Sequence, residues 1–347
     1  MSEDAARLRS PGDHGLPRVL GMMMLSNYGI PESGYGYEYY NLIPAFERLP
    51  IEFRNFDYAQ EIIDHGYWAA SAGLKRIIEQ WKPHALFFTT YTEQVDRDLM
   101  RWITEETPTV TIGWFSDDHW RFKSYSRYWA EALNWVVTTD ADAVQKYRAI
   151  GQPNVILSQW AANELVYRPS ELPLEYDVSF VGRRYGPRES AVEHLRRNGV
   201  SVATFGPEWP GGGVSQDKMM EVFSRSRVNL NLAASSKRDH LRSSKPQIKG
   251  RVFEVPACGG LLLTDYAPHL EDYYDIGSEV VVYTSKRDML RKVVDLLGDE
   301  PRRASIARAG YERTVRDHTW VGRLREILSQ AGVLEPTDGE VLAHERT

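Results

Sequence analysis

The chain has 347 residues, more than one hydrophobic core usually serves, so two domains are the default expectation. Apolar residues at 42% and charged residues at 26% exclude global disorder. The 42 basic and 48 acidic residues leave a net charge of −6, which argues against a general nucleic-acid binder but leaves a local basic site open.

The single cysteine, Cys258, excludes an internal disulfide framework and a cysteine-built zinc site. No apolar run reaches the ~18 residues of a membrane span. The stretch 1–17 is polar, without the apolar core of a secretory signal. The expected setting is therefore reducing and cytoplasmic.

In chain order, short β-rich runs alternate with helical patterns. Arg18–Leu25 (RVLGMMML) reads as a buried strand, a glycine-rich loop follows, and a helix runs from about Tyr37 to Leu49. Ile51–Phe56 reads as a strand. Trp68–Trp81 is helical, with Leu74, Ile77, Ile78 and Trp81 at i, i+3, i+4 and i+7. Strands at His84–Thr90, Thr109–Phe115, Trp135–Thr139 and Val155–Ser158 alternate with helices at Asp96–Glu105 and after Asp140, which can cap the helix it precedes.

Residues 163–176 carry two prolines and little periodicity, and read as a linker. The alternation then restarts. Strands are expected at Asp177–Val181, Val200–Phe205, Val228–Ala233, Leu261–Thr264 and Val280–Tyr283. Helices are expected at Gly186–Asn198, Gln216–Ser226, Arg251–Cys258, Asp288–Leu297, 301–316 and 320–331, with a polar, basic segment from Ala234 to Lys249. This pattern predicts two successive doubly wound α/β units with parallel sheets, whose ligands sit at the carboxyl ends of the strands.

Several segments carry candidate chemistry. Gly34-Tyr35-Gly36 is half of a dinucleotide fingerprint; Tyr39 stands where the third glycine belongs, so the loop Ser26–Tyr40 reads instead as a lining for a polar ligand. Asp140-Ala141-Asp142 has the D-x-D spacing of some metal sites, but helix capping explains it more simply, and no metal site is expected.

Ser116-Asp117-Asp118-His119 follows the strand TVTIGWF, where two acids and a histidine can supply a general base or simply form a solvated turn. FVGRRYGPR places Arg183 and Arg188 around a glycine turn and a helix start, a context for phosphate. KPQIKGRVFEVPACGG places Lys249 and Arg251 at a helix start and Glu254 one turn in, where a carboxylate can accept from two ribose hydroxyls. Cys258 there reads as a small buried hydrophobe.

In combination, YDVSFVGRRYGPR, KGRVFEVPACGGLLLTDY, GSEVVVY, ARAGYERTVRDHTWVGRLREIL, PTVTIGWFSDD and NWVVTTDADAVQKYRAIG resemble the CgeB-type, spore-maturation-protein-like glycosyltransferase family. The resemblance implies a GT-B fold: two Rossmann-like doubly wound parallel-sheet domains facing across a cleft. The implied limits are a flexible 1–17, an acceptor domain at 18–165, a nucleotide-sugar donor domain at 172–317, a helix at 318–332 returning to the first domain, and a flexible tail at 335–347.

It also implies a metal-independent transferase that uses a nucleoside-diphosphate sugar as co-substrate and no cofactor. Arg183, Arg188, Lys249, Arg251 and Glu254 would bind the donor, with Glu254 on the ribose. In the related retaining enzymes an E-x₇-E motif precedes the A-C-G turn; Glu254 matches its second glutamate, and Pro246 stands at the first. The donor-sugar contacts and the stereochemical course therefore do not follow from the resemblance.

Asp117, Asp118 and His119 are the expected catalytic set. Tyr28, Tyr35, Tyr37 and Glu38 form the expected acceptor wall, with Glu38 the next candidate base. A nucleotide-sugar 2-epimerase or hydrolase of the same fold, or a non-catalytic nucleotide-sugar- or glycan-binding protein, are the alternatives. The acceptor is left open among glycan, protein, lipid, small molecule and modified nucleic acid.

Overall fold

A computed structural model describes residues 15–90, 92–232 and 246–336. The expected flexible ends, 1–17 and 335–347, and the basic stretch from Ala234 to Lys249 lie largely outside these residues. Among the described residues, one unit holds those up to Gln159 and those from Trp320 onward, and the other is Trp160–Thr319.

The first unit is built on strands β1 (Arg18–Met22), β2 (Glu52–Phe56), β3 (Ala85–Phe88), β4 (Val110–Phe115), β5 (Trp135–Thr138) and β6 (Val155–Leu157). They pair in the order β2-β1-β3-β4-β5-β6, all parallel. Strands β3 and β4 are buried at every position, as a central strand covered on both faces must be, which is why they read as unbroken apolar runs. Edge strand β2 instead alternates exposed and covered positions before its buried end at Phe56.

Helices α1 (Tyr37–Phe46), α2 (Tyr58–His65), α3 (Tyr67–Trp81), α4 (Arg97–Glu106), α5 (Asp118–Arg121), α6 (Arg127–Ala130) and α7 (Ala141–Ala149) join the strands. A π-helical turn, Phe122–Ser126, connects α5 to α6. Asp57 caps α2 by accepting from the amides of Ala59 and Gln60, and Asp140 caps α7 by accepting from Asp142.

The second unit repeats the pattern with β7 (Tyr176–Val181), β8 (Val202–Phe205), β9 (Ser226–Asn231), β10 (Leu262–Asp265) and β11 (Val281–Tyr283). Their order is β11-β10-β9-β7-β8, again all parallel. Helices α8 (Gly186–Arg197), α9 (Gln216–Ser224), α10 (Arg251–Ala257), α11 (Lys286–Gly298) and α12 (Glu300–Asp317) complete it. One core gathers Val192, Leu195, Val293 and Ile306 around β7, β9 and β10. A second gathers Phe223, Val252, Phe253 and Tyr274.

Helix α13 (Trp320–Gln330) belongs to the first unit. Its stripe Trp320, Leu324, Ile327 and Leu328 is fully buried, each side chain contributing roughly 1.5–3 kcal/mol on burial. The Trp320 indole donates to the Tyr37 hydroxyl at 3.0 Å and sits edge-on to Tyr37 and Trp114.

Candidate active site

In a parallel sheet, a crevice opens where neighbouring strands send their following loops in opposite directions. The strand orders put that point between β1 and β3 in the first unit and between β7 and β9 in the second.

At the first point, Met22 ends β1 and lies level with Phe88, the last residue of β3. The chain leaving β1 makes a small closed loop. Ser26 bridges Tyr35, the Asn27 amide donates to Gly34 at 2.8 Å, and the Gly36 amide donates to Leu25 at 2.6 Å. Gly34 turns at φ 75°, a conformation glycine adopts without a steric cost. Asp57, at the end of β2, accepts from the Leu25 amide at 3.1 Å and ties the loop to the sheet.

The loop delivers Glu38 into the first turn of α1, where its carboxylate accepts from the Thr89 hydroxyl at 3.2 Å. Thr89 is the residue directly after β3. Loss of hydration pushes the Glu38 carboxyl up to about 7; its own amide and Thr89 oppose the rise, and the Asp57 charge adds to it.

Of the expected acceptor wall, Tyr28 and Tyr35 are 69% and 55% exposed. Tyr35 stacks face to face on Tyr39 with centroids 3.8 Å apart, and Tyr40 meets both rings edge-on. Tyr37 departs from expectation, because its hydroxyl and ring are engaged with Trp320.

The 117–119 segment follows β4, one strand away from the crevice. Asp118 is 1% exposed, so it is not presented to a substrate as the sequence reading expected. Its carboxylate accepts from Ser126, from Thr138 at 2.7 Å and from Tyr147 at 2.9 Å. It thereby stitches the π turn, the end of β5 and α7 together. Burial pushes it up to about 6 against those three hydrogen bonds. Asp117 occupies the cap position of α5, but its side chain makes no capping bond. Asp117 and His119 are each partly exposed.

In the second unit β7 runs into Gly182 and Arg183. Gly206 (φ 120°) lies so close that a Cβ there would stand 2.5 Å from the Gly182 carbonyl oxygen, so two glycines let the ends of β7 and β8 meet. The Trp209 indole donates to that same carbonyl at 2.9 Å. Arg183 follows with a side chain 64% exposed, its nearest anion being Glu208 at 4.0 Å.

Arg188, on α8, is used differently. It donates to the carbonyls of Arg183 and Leu232, each at 3.2 Å, and lies over the rings of Phe180 and Tyr185. It bridges the residues following β7 and β9, whereas the sequence reading had it on diphosphate.

Glu254 is 1% exposed. One carboxylate oxygen accepts from the Tyr167 hydroxyl at 3.0 Å and the other from Arg251, whose guanidinium also covers the Phe223 ring. Arg251 is thus paired within the protein. Lys249, partly exposed, lies two residues before α10, ahead of its cap Gly250. Cys258 is buried, with its thiol pushed well up by burial, in keeping with a packing role.

Sequence reasoning missed Thr89 and Tyr167. Thr89 could have been found as the first polar residue after the strand ALFF. Tyr167 is 87 residues from Glu254, and nothing local signals the pair.

The family described as glycosyl transferase-like matches residues 183–329. No curated protein matches the chain significantly. Among solved structures, a glycosyltransferase from Rickettsia africae ESF-5 is similar at TM-score 0.60 and 11% identity, over 93% of this chain and 100% of that one. Anabaena Alr3699/HepE, solved in complex with UDP and glucose, is similar at TM-score 0.59 and 9% identity, over 92% and 100%. A structure described as a UDP-N-acetylglucosamine 2-epimerase from Listeria monocytogenes is similar at TM-score 0.57 and 11% identity, over 94% and 99%. The fold of the chain is accordingly the GT-B fold, two parallel α/β units.

Proposed function

We propose that the protein is a glycosyltransferase that moves a sugar from a nucleoside diphosphate to an acceptor hydroxyl. The second unit would hold the donor and the first the acceptor. The observation that carries the reading is the glycosyl transferase-like match over 183–329, which spans the exposed Arg183 after β7 and the buried Glu254. The Anabaena neighbour, solved with UDP and glucose, supports a nucleotide donor.

In this reading Arg183 stabilises the leaving diphosphate, where negative charge grows in the transition state. Lys249 adds a second cation. Glu254, buried and engaged through both carboxylate oxygens by Tyr167 and Arg251, would order the wall of the ribose site from within rather than meet the hydroxyls itself. Arg188 supports the phosphate loop through the two carbonyls it binds. Cationic side chains serve the leaving group, so transfer should proceed without a metal ion. Of the 117–119 set, Asp117 and His119 would face an acceptor from their partly exposed positions, while Asp118 holds the segment through its three hydroxyl donors.

The epimerase-like neighbour favours a second reading, in which the same donor unit serves a nucleotide-sugar 2-epimerase or hydrolase. A thermal-shift panel of UDP-glucose, GDP-mannose, ADP-glucose and dTDP-glucose tests donor binding. A ligand at a hundredfold excess over Kd adds about 2.7 kcal/mol of stability. Turnover of the selected donor with EDTA present, with and without hydroxyl acceptors, then separates transfer from epimerisation. A panel with no stabilising ligand refutes both.

A further inference from the structure

We propose that Glu38 is the proton acceptor for the incoming hydroxyl, in a first-unit site bounded by Thr89 and the Tyr35–Tyr39 stack. This rests on the glycosyl-transfer reading and deepens it. Three observations meet at this residue. The strand order places the crevice of the first unit between β1 and β3, and Glu38 enters from the loop after β1 to bond the residue after β3. The 117–119 segment follows β4 instead, and its central carboxylate is consumed by three hydroxyl donors inside the fold. The stacked Tyr35–Tyr39 pair and the edge-on Tyr40 put a flat aromatic surface on the residues flanking Glu38, a surface on which the apolar face of a sugar ring packs.

The chemistry balances without a further reagent. The acceptor oxygen forms a bond to the anomeric carbon of the donor. The bond from that carbon to the diphosphate oxygen breaks, and its electron pair leaves with the diphosphate. The acceptor proton passes to a Glu38 carboxylate oxygen and from there to water. Thr89 donates to the carboxylate and holds it in place, leaving lone pairs for the substrate hydroxyl. Loss of hydration around Glu38, with a smaller push from the nearby Asp57 charge, keeps the carboxyl basic near neutrality, where a general base works best.

The test uses the full chain and the donor selected by the panel, with water and glycerol as acceptors, following release of the nucleoside diphosphate. Wild-type kcat should rise with pH along a one-proton curve with a midpoint near 7. Glu38→Gln should lower kcat by ~10²–10⁴ and flatten the curve, while calorimetric affinity for the nucleoside diphosphate stays at the wild-type value. Glu38→Asp should restore part of the rate and the pH rise. Thr89→Val, which removes the hydroxyl that favours the charged form, should move the midpoint upward.

A Glu38→Gln variant with wild-type kcat and pH rise overturns the assignment while leaving glycosyl transfer intact. Loss of nucleotide affinity in step with rate also overturns it, by placing Glu38 in the donor site. Donor binding without turnover in either acceptor overturns it as well. A wild-type chain that binds no donor of the panel removes the transfer reading and this inference together.

Discussion

The two units share one strand order over five strands, the first adding a sixth, and differ in what they place at the point where that order reverses. In the first, the residues there are Glu38, Thr89 and a group of tyrosines. In the second, they are Gly182, Arg183 and Arg188, the last of which ties the residues after β7 and β9 together. Backbone topology makes the crevice in both cases, and the side chains alone give one a proton-accepting, hydroxyl-rich character and the other a cationic one. Under the proposed function, that contrast would assign the proton-accepting role to one unit and the stabilisation of departing negative charge to the other.

This contrast can be broken at several points. The largest effect is expected from Glu254→Ala, which leaves the Arg251 cation and the Tyr167 hydroxyl without their buried partner. Removing one member of a buried pair costs about 3–5 kcal/mol, and Arg251 is partly solvated, so about 3 kcal/mol is expected in urea unfolding of the second unit. If unfolding is unchanged, Glu254 is not the structural pivot described here.

Arg183→Ala should follow, weakening binding of the nucleoside diphosphate selected by the panel by about 1.5–3 kcal/mol in calorimetry while leaving binding of the corresponding free nucleoside nearly untouched. It should also leave the pH midpoint assigned to Glu38 in place, which is the sharpest test that the two crevices act separately.

Asp118 gives a smaller and pH-dependent effect. Its folded value lies above the ordinary carboxylate value, so between about pH 4 and 6 the folded chain keeps a proton that the unfolded chain releases. Its contribution to stability is present below that window and lost as pH rises through it. Asp118→Asn should flatten this part of the stability curve, measured as urea midpoint against pH. The smallest effect should be Asp140→Ala: about 1 kcal/mol for a lost helix cap, in the same unfolding assay. Retention of metal-free turnover in that variant would agree with a capping role.

The sequence revealed the strands well because buried parallel strands are apolar on both faces, as in ALFF and VTIGWF. Helix α2 was not legible: its eight residues bury only Tyr58 and Ala59, too little for a periodic signal. The π turn at Phe122–Ser126 was hidden for a different reason: it buries Phe122, Tyr125 and Ser126 within five residues wound off the ordinary 3.6-residue period.

At the site, alternation indicated that strand ends matter, but strand order is a long-range property. That is why the acids after β4 drew attention while the crevice lies between β1 and β3. Glycine-rich turns and arginines were readable one by one. That Arg188 is spent on two carbonyls and Glu254 on Tyr167 depends on residues 44 and 87 positions away.

The division of the chain also orders its own maturation. The second unit is a continuous stretch, Trp160–Thr319, whereas the first is interrupted by it and regains Trp320, Leu324, Ile327 and Leu328 only from α13. During synthesis, when domains generally fold as units, the unit begun first must wait for its last helix. Until then the faces that receive those side chains stay open to water, and the Tyr37 hydroxyl lacks its indole donor. The half of the protein translated first is thus the half finished last, and a ribosome stalled anywhere before residue 320 would display an incomplete core there.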